Sequence, residues 1–257
     1  MLSAHAVSWQ RAGQDVLETL DCHVSPGECL ALLGPNGAGK SSLLALLAGD
    51  ERPSHGEVCL EGVALQHIAP RALAQRRAVL TQQQGDAAGL SVREVVAIGL
   101  AAHGLSETAP VLAEALTLAH ALPFATRRYD TLSGGERQRV QLARVLAQVL
   151  AAPTSHARYL LLDEPTTALD LAQQQHILTT CSQLSRRHPL GVIIILHDLN
   201  LALRYADRIL VLKQGRVVAH GNPAQTLTTA CIAQVWGVET SSIPDPNNSG
   251  KSLIFIK

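Results

Sequence analysis

Gly34-Pro35-Asn36-Gly37-Ala38-Gly39-Lys40-Ser41-Ser42 fits the pattern G-x-x-x-x-G-K-[ST] of a phosphate-cradling loop. The apolar run Cys29-Leu30-Ala31-Leu32-Leu33 precedes it and reads as a buried strand. Ser42-Leu43-Leu44-Ala45-Leu46-Leu47-Ala48 follows and reads as a helix that Gly49 stops. Glycine at 37 and 39 lets the backbone curl so that successive N–H groups point at one anion. The helix start adds the positive end of its dipole. Lys40 is placed to reach terminal phosphates, and the Ser41 hydroxyl to ligate Mg²⁺. The stretch predicts a site for ATP or GTP in an α/β domain.

A chain of 257 residues is long enough for one large α/β domain, or a core carrying an inserted subdomain. Hydrophobic residues at 47% against 16% charged predict a substantial buried core rather than disorder. The 21 basic residues balance the 21 acidic ones, so no general electrostatic grip on nucleic acid is expected. Cys22, Cys29, Cys59, Cys181 and Cys231 are scattered with no Cys-x-x-Cys pair, which predicts reduced, mostly buried thiols. Met1-Leu2-Ser3-Ala4-His5 has no basic stretch followed by an apolar one, so no signal peptide is expected. No apolar run approaches bilayer length. A cytosolic chain follows, one that would serve a membrane only by docking onto a partner.

Residues 4–33 alternate β-type segments with turns such as Ser25-Pro26-Gly27-Glu28, and Val58-Cys59-Leu60 before Glu61-Gly62 reads as a hairpin edge. Residues 70–77 read as helix, Ala78-Val79-Leu80-Thr81 as a short strand ending at Gln82-Gln83-Gln84. From Ser91 to Leu122 apolar residues recur at three and four, behind a capping box of Ser91 and Glu94, and predict a small helical subdomain. Helix over Gly135–Ala152, strand over Tyr159–Leu162, helix over Leu171–Arg187 and strand over Gly191–Leu196 then alternate. Such uninterrupted apolar strands predict a parallel sheet covered on both faces. A further helix after Asn200 leads to a strand at Arg208–Leu212 and a hairpin signal at Lys213-Gln214-Gly215-Arg216.

Two further motifs carry chemistry. Leu160-Leu161-Leu162-Asp163-Glu164 is an apolar strand ending in two carboxylates, at the end of a parallel strand where ligands sit. Asp163 is placed to reach Mg²⁺, and Glu164 to orient or deprotonate an attacking water. Leu132-Ser133-Gly134-Gly135-Glu136-Arg137-Gln138 opens a helix and again offers a hydroxyl and exposed N–H groups to phosphate. One nucleotide rarely needs two such cradles from one chain. A second chain supplying Ser133–Gln138 to the first chain's nucleotide resolves the redundancy.

With these motifs the chain resembles the ATP-binding subunit of an ABC transporter over nearly all of residues 4–240, and Leu132–Gln138 matches that family's signature. The resemblance implies an α/β P-loop NTPase (ABC ATPase) core with a mostly parallel sheet, an N-terminal antiparallel β-subdomain and an inserted helical subdomain. The whole chain, 1–257, would be a single nucleotide-binding domain, with the helical subdomain at about 85–150. Gly34, Pro35, Asn36, Gly37, Ala38, Gly39, Lys40, Ser41 and Ser42 would hold the phosphates of ATP. Ser41, Asp163 and Gln82 would attend Mg²⁺. Glu164 would be the catalytic carboxylate, and His197 would contact the γ-phosphate. Gln83 and Gln84 leave the glutamine register open by a residue or two. Ser133, Gly134 and Gly135 would close over the partner's nucleotide, and Thr167-Ala168-Leu169-Asp170 resembles the loop crossing the dimer interface. The family stacks adenine on an aromatic residue, where alignment puts Arg11; either Arg11 or Trp9, two residues away, would take that part.

His197-Asp198-Leu199-Asn200-Leu201-Ala202, Gly221-Asn222-Pro223 and Val235-Trp236-Gly237-Val238 are similar to the importer branch serving iron chelates, haem and cobalamin. The long link Ala151–Arg158 and Ala168-Leu169-Asp170-Leu171-Ala172 most resemble that branch's haemin-importing members. Implied partners are a second copy, two transmembrane permease subunits and, indirectly, a periplasmic substrate-binding protein. The implied place is the cytoplasmic face of a bacterial inner membrane. Siderophore or cobalamin import is the runner-up. A soluble cassette ATPase would show coiled-coil insertions or two cassettes, and a regulatory module without turnover is at odds with intact Glu164 and His197. The eleven histidines are scattered without an axial-ligand arrangement, so haem is expected to meet the partners, not this subunit.

Overall fold

A computed structural model describes residues 1–82, 87–153, 155–167, 169–246 and 251–257. Strands β1 (Leu2–Arg11) and β2 (Gln14–Val24) form a hairpin and lead to β3 (Cys29–Leu33), which feeds the phosphate loop and helix α1 (Lys40–Ala48). Strands β4 (His55–Leu60) and β5 (Val63–Ala64) complete an antiparallel sheet of order β2-β1-β4-β5. Helix α2 (Pro70–Ala74) precedes β6 (Arg77–Leu80), and the helical run expected over 91–122 is two helices, α3 (Val92–Ile98) and α4 (Pro110–Leu118). Gly99, Gly104 and Pro110 break it: Gly99 caps α3, Gly104 ends a 3₁₀ turn, and Pro110 opens α4.

The second half alternates as its pattern predicts. Helix α5 (Gly134–Leu150), β7 (Arg158–Leu162), α6 (Leu171–Arg187), β8 (Leu190–Ile195), α7 (Leu199–Tyr205), β9 (Arg208–Lys213) and β10 (Arg216–Gly221) follow in turn. Beyond them lie α8 (Pro223–Thr226), α9 (Thr229–Trp236) and a terminal hairpin of β11 (Thr240–Pro244) and β12 (Ser252–Ile256). The central sheet has the order β10-β9-β3-β8-β7-β6 and is parallel except for β10.

Alternation along its strands creates two cores, because successive side chains leave opposite faces. Ala31, Leu33, Leu160, Leu162, Val192 and Ile194 point into the layer built by α3 to α7. Leu30, Leu32, Leu161, Ile193 and Ile195 point into the layer holding α1 and the antiparallel sheet. Strands β3, β7 and β8 are buried at every residue, as strands covered on both faces must be. Helix α5 packs on α3 and α4 and also on β6 and β7, so it joins the helical layer to the sheet. All five cysteines are buried, free thiols, and burial pushes Cys22 and Cys181 up to about 12, which leaves them inert. No helix among the described residues is long and apolar enough to cross a membrane.

Candidate functional site

Four neighbouring strands of the central sheet, β3, β8, β7 and β6, each end in a residue that faces one cleft. β3 releases the phosphate loop, β8 precedes His197, β7 precedes Asp163 and Glu164, and β6 precedes Gln82. The cleft, about 600 Å³, is lined by loop residues 36–42 with Val16, Gln82, Glu164 and His197. Helix α1 starts inside it, with Gly39 as a left-handed cap at φ 98°. A Cβ at Gly39 would sit 2.6 Å from the Leu17 side chain and 3.1 Å from the Val16 carbonyl, so only glycine fits between loop and hairpin. The turn after β9 fastens the same junction: Gly215 N–H donates to the Ala38 carbonyl at 3.1 Å, and the Gly215 carbonyl accepts from Glu18 N–H at 3.0 Å.

Lys40 is buried and donates to the carbonyls of Gly34 at 2.8 Å and Pro35 at 3.0 Å. Burial holds its ammonium below the usual lysine range, while Glu164 and Asp163 pull it back up. Asp163 is also buried, and burial pushes its carboxyl above the usual range; a hydrogen bond from the Ser41 hydroxyl opposes that shift. Its Oδ1 has no partner. A buried orphan carboxylate oxygen beside a hydroxyl suits a hard divalent cation. Mg²⁺ takes one or two protein oxygens and fills its remaining positions with phosphate and water.

Glu164 takes a left-handed backbone, φ 49°, at a cost of about 1–2 kcal/mol for a residue with a Cβ. The turn stops the strand and presents the carboxylate to the cleft. His197 Nε2 lies 2.6 Å from Glu164 Oε1, Gln82 Nε2 3.4 Å from Oε2, and the Thr167 hydroxyl 3.3 Å from Oε2. Gln82, Glu164 and His197, read separately in the sequence, are thus one hydrogen-bonded group around the loop. Gln83 and Gln84, the alternative glutamine registers, and Ala168 of the interface loop lie outside the described residues.

Ser133, Gly134 and Gly135 do not line this cleft. Ser133 caps α5 in a full capping box, accepting from Glu136 N–H at 3.4 Å while its own N–H donates to Glu136 at 2.9 Å. Along the helix that this exposed end opens, the Gln138 amide donates to the Pro165 carbonyl at 3.3 Å, next to Glu164. Asp170 is exposed and caps α6 through Gln173 N–H at 2.8 Å.

Neither Trp9 nor Arg11 lines the cleft; Val16 does. Trp9 is 9% exposed and packs into the β-layer core opposite Leu17, and Arg11 is exposed at the hairpin end. The ladder shifts register between Trp9 and Gln10, so spacing of two no longer implies a shared environment. Val16, which the sequence reading did not single out, lines the cleft and is partly buried against the core that holds its fully buried neighbour Leu17.

The ABC transporter family profile matches residues 17–167. The Hemin import ATP-binding protein HmuV of Bordetella avium is 43% identical over 261 residues, covering 100% of this chain and 99% of that protein. Among solved structures, an inward-facing metal-chelate type ABC transporter superposes with a TM-score of 0.80 at 25% identity, over 100% of this chain and 96% of the other. A dimeric ATP-binding cassette in a post-hydrolysis state bound to ADP and Pi matches with a TM-score of 0.75 at 25% identity, over 87% and 99%.

Proposed function

This chain belongs to the ABC transporter family, and from that premise we propose that it is the ATP-binding and ATP-hydrolysing subunit of an importer for haem. The grouping of Gln82, Glu164 and His197 around residues 36–42 is the observation that carries the reading. It supports one nucleotide-binding domain over 1–257, with a helical subdomain at about 85–150. Residues 34–42 hold the phosphates, and Val16 lies against the base or ribose. Ser41 and Asp163 are the residues that would hold Mg²⁺, with Gln82 beside them; the ion would neutralise phosphate charge. Glu164 orients the attacking water and takes its proton as the γ-phosphoryl group passes from ADP to water. His197 holds the Glu164 carboxylate in place and faces the γ-phosphate.

Two copies complete the site. Ser133, Gly134 and Gly135 of each chain close over the nucleotide in the other, with Asp170 beside the crossing loop, and closure drives two permease subunits from the cytoplasmic face of the membrane. A periplasmic binding protein would deliver the substrate. Likeness to a metal-chelate type transporter favours, as a second reading, import of a ferric chelate or cobalamin. The test is ATP turnover by the chain reconstituted with its permease partners and binding protein. Haem should stimulate phosphate release, and Glu164→Gln should lower kcat by about 10²–10⁴-fold. Stimulation by a ferric siderophore or cobalamin but not haem would support the second reading; unchanged turnover in Glu164→Gln would overturn the role of that carboxylate.

A further inference from the structure

The terminal hairpin β11–β12 holds helix α7 at both ends, and α7 begins two residues after His197. At its first turn, Asn200 pairs with the backbone of Ile254 in both directions. Asn200 Nδ2 donates to the Ile254 carbonyl at 3.1 Å, and Ile254 N–H donates to Asn200 Oδ1 at 2.8 Å. The side-chain amide thereby acts as one more rung on the outer edge of β12. At the far end of α7, Lys251 Nζ donates to the Arg204 carbonyl, and Arg204 Nη2 reaches buried Asp245 at 3.5 Å. The helix has only seven residues, too few to be stable alone, and besides these bonds it packs on β3, α6 and α8 with Ala202 and Leu203 buried.

Upstream of that anchored turn, Leu196 is buried and its N–H donates to the Leu32 carbonyl at 3.2 Å. Asp198 caps α7 by accepting from Asn200 N–H at 2.7 Å and Leu201 N–H at 3.0 Å. Asp198 and Asn200 therefore form one turn, with Asp198 bonded to the backbone N–H of the residue that Ile254 pins. His197 follows the end of β8 and precedes this turn, and its side chain is 48% exposed at the cleft. Its position against Glu164 depends on two supports: the sheet behind it and the clasped turn ahead of it.

We propose that Asn200 is a positioning residue for hydrolysis, and that the terminal hairpin, through the Asn200–Ile254 pair, sets the place of His197 against Glu164. The proposal rests on the reading of His197 and Glu164 given above. It assigns a catalytic duty to a hairpin remote from the nucleotide cleft, whose lining includes none of its residues.

The experiment compares Asn200→Ala, His197→Ala and the double variant in the complete transporter. Misplacing a catalytic group by a fraction of its bond length costs rate and not affinity, so Asn200→Ala should lower kcat by about 10- to 100-fold. The KM for ATP should stay within about twofold. Because Asn200 acts through His197, the double variant should turn over no slower than His197→Ala alone. Additive losses, or wild-type kcat in Asn200→Ala beside an inactive His197→Ala, would overturn the proposal. Full turnover in His197→Ala would instead overturn the underlying reading. Should Asn200→Ala fail to fold, Asn200→Asp keeps the acceptor for Ile254 N–H, loses the donor, and carries the same expectations.

Discussion

Gly37→Ala and Gly39→Ala make the same chemical change two residues apart in one loop, yet the structure separates their costs. Gly37 sits at φ 75° with nothing within 4 Å of an added Cβ. Alanine there meets only the left-handed backbone penalty, about 1–2 kcal/mol. Gly39 sits at φ 98°, and its added methyl would lie 2.6 Å from Leu17 Cδ2 and 3.1 Å from the Val16 carbonyl. Leu17 is fully buried and has no free space to yield, and the carbonyl belongs to a paired strand. Overpacking of about 1–3 kcal/mol adds to the same backbone cost of about 1–2 kcal/mol, for a total of about 2–5 kcal/mol. For a chain of this length each kcal/mol lowers Tm by about 2 °C. Thermal unfolding without nucleotide should fall by about 2–4 °C for Gly37→Ala and about 4–10 °C for Gly39→Ala. Equal shifts would refute the view that the β1–β2 hairpin presses on the start of α1, because backbone strain alone does not distinguish the two positions.

Two further outcomes are expected. Ser133→Arg should leave ATP affinity of the isolated chain unchanged and abolish turnover in the assembled transporter; full activity would contradict a site shared between copies. Asp163→Asn should raise Tm near neutral pH while abolishing hydrolysis. Burial raises the Asp163 pKa in the folded chain, so its charge destabilises the fold above that pKa, and the penalty disappears as pH falls below the ordinary carboxylate value. The stabilising effect of asparagine should therefore shrink towards zero below about pH 4. A gain that persisted there would show that desolvation of the charge is not its source.

Much of the architecture was legible because it is local. The run Leu171–Arg187 has helical periodicity behind a capping Asp170, and the observed helix has those bounds. The capping box at Ser91 was likewise visible as spacing alone and is present. Site geometry was only partly legible. Glu164, His197 and Gln82 were identifiable as types after strands, but their meeting depends on the order β3-β8-β7-β6, which pairs segments far apart in sequence. The irregular register in β1 concealed the burial of Trp9, since a bulge has no reliable signature. Asn200 was noted only as part of a stretch after His197; its partner Ile254 lies 54 residues away in a tail with weak patterning.

The adjacency of β3, β8, β7 and β6 makes the sheet a ruler. Neighbouring strands stand about 4.8 Å apart, so their four functional ends span about 14 Å. The graduations are set by backbone hydrogen bonds between the strands, so their spacing does not depend on the lengths of the loops that follow. What the ruler does not tolerate is slippage: one residue of register would move a strand end by about 3.3 Å and turn its side chains to the opposite face. The geometry of this site therefore depends also on the buried aliphatics that lock the strands in step.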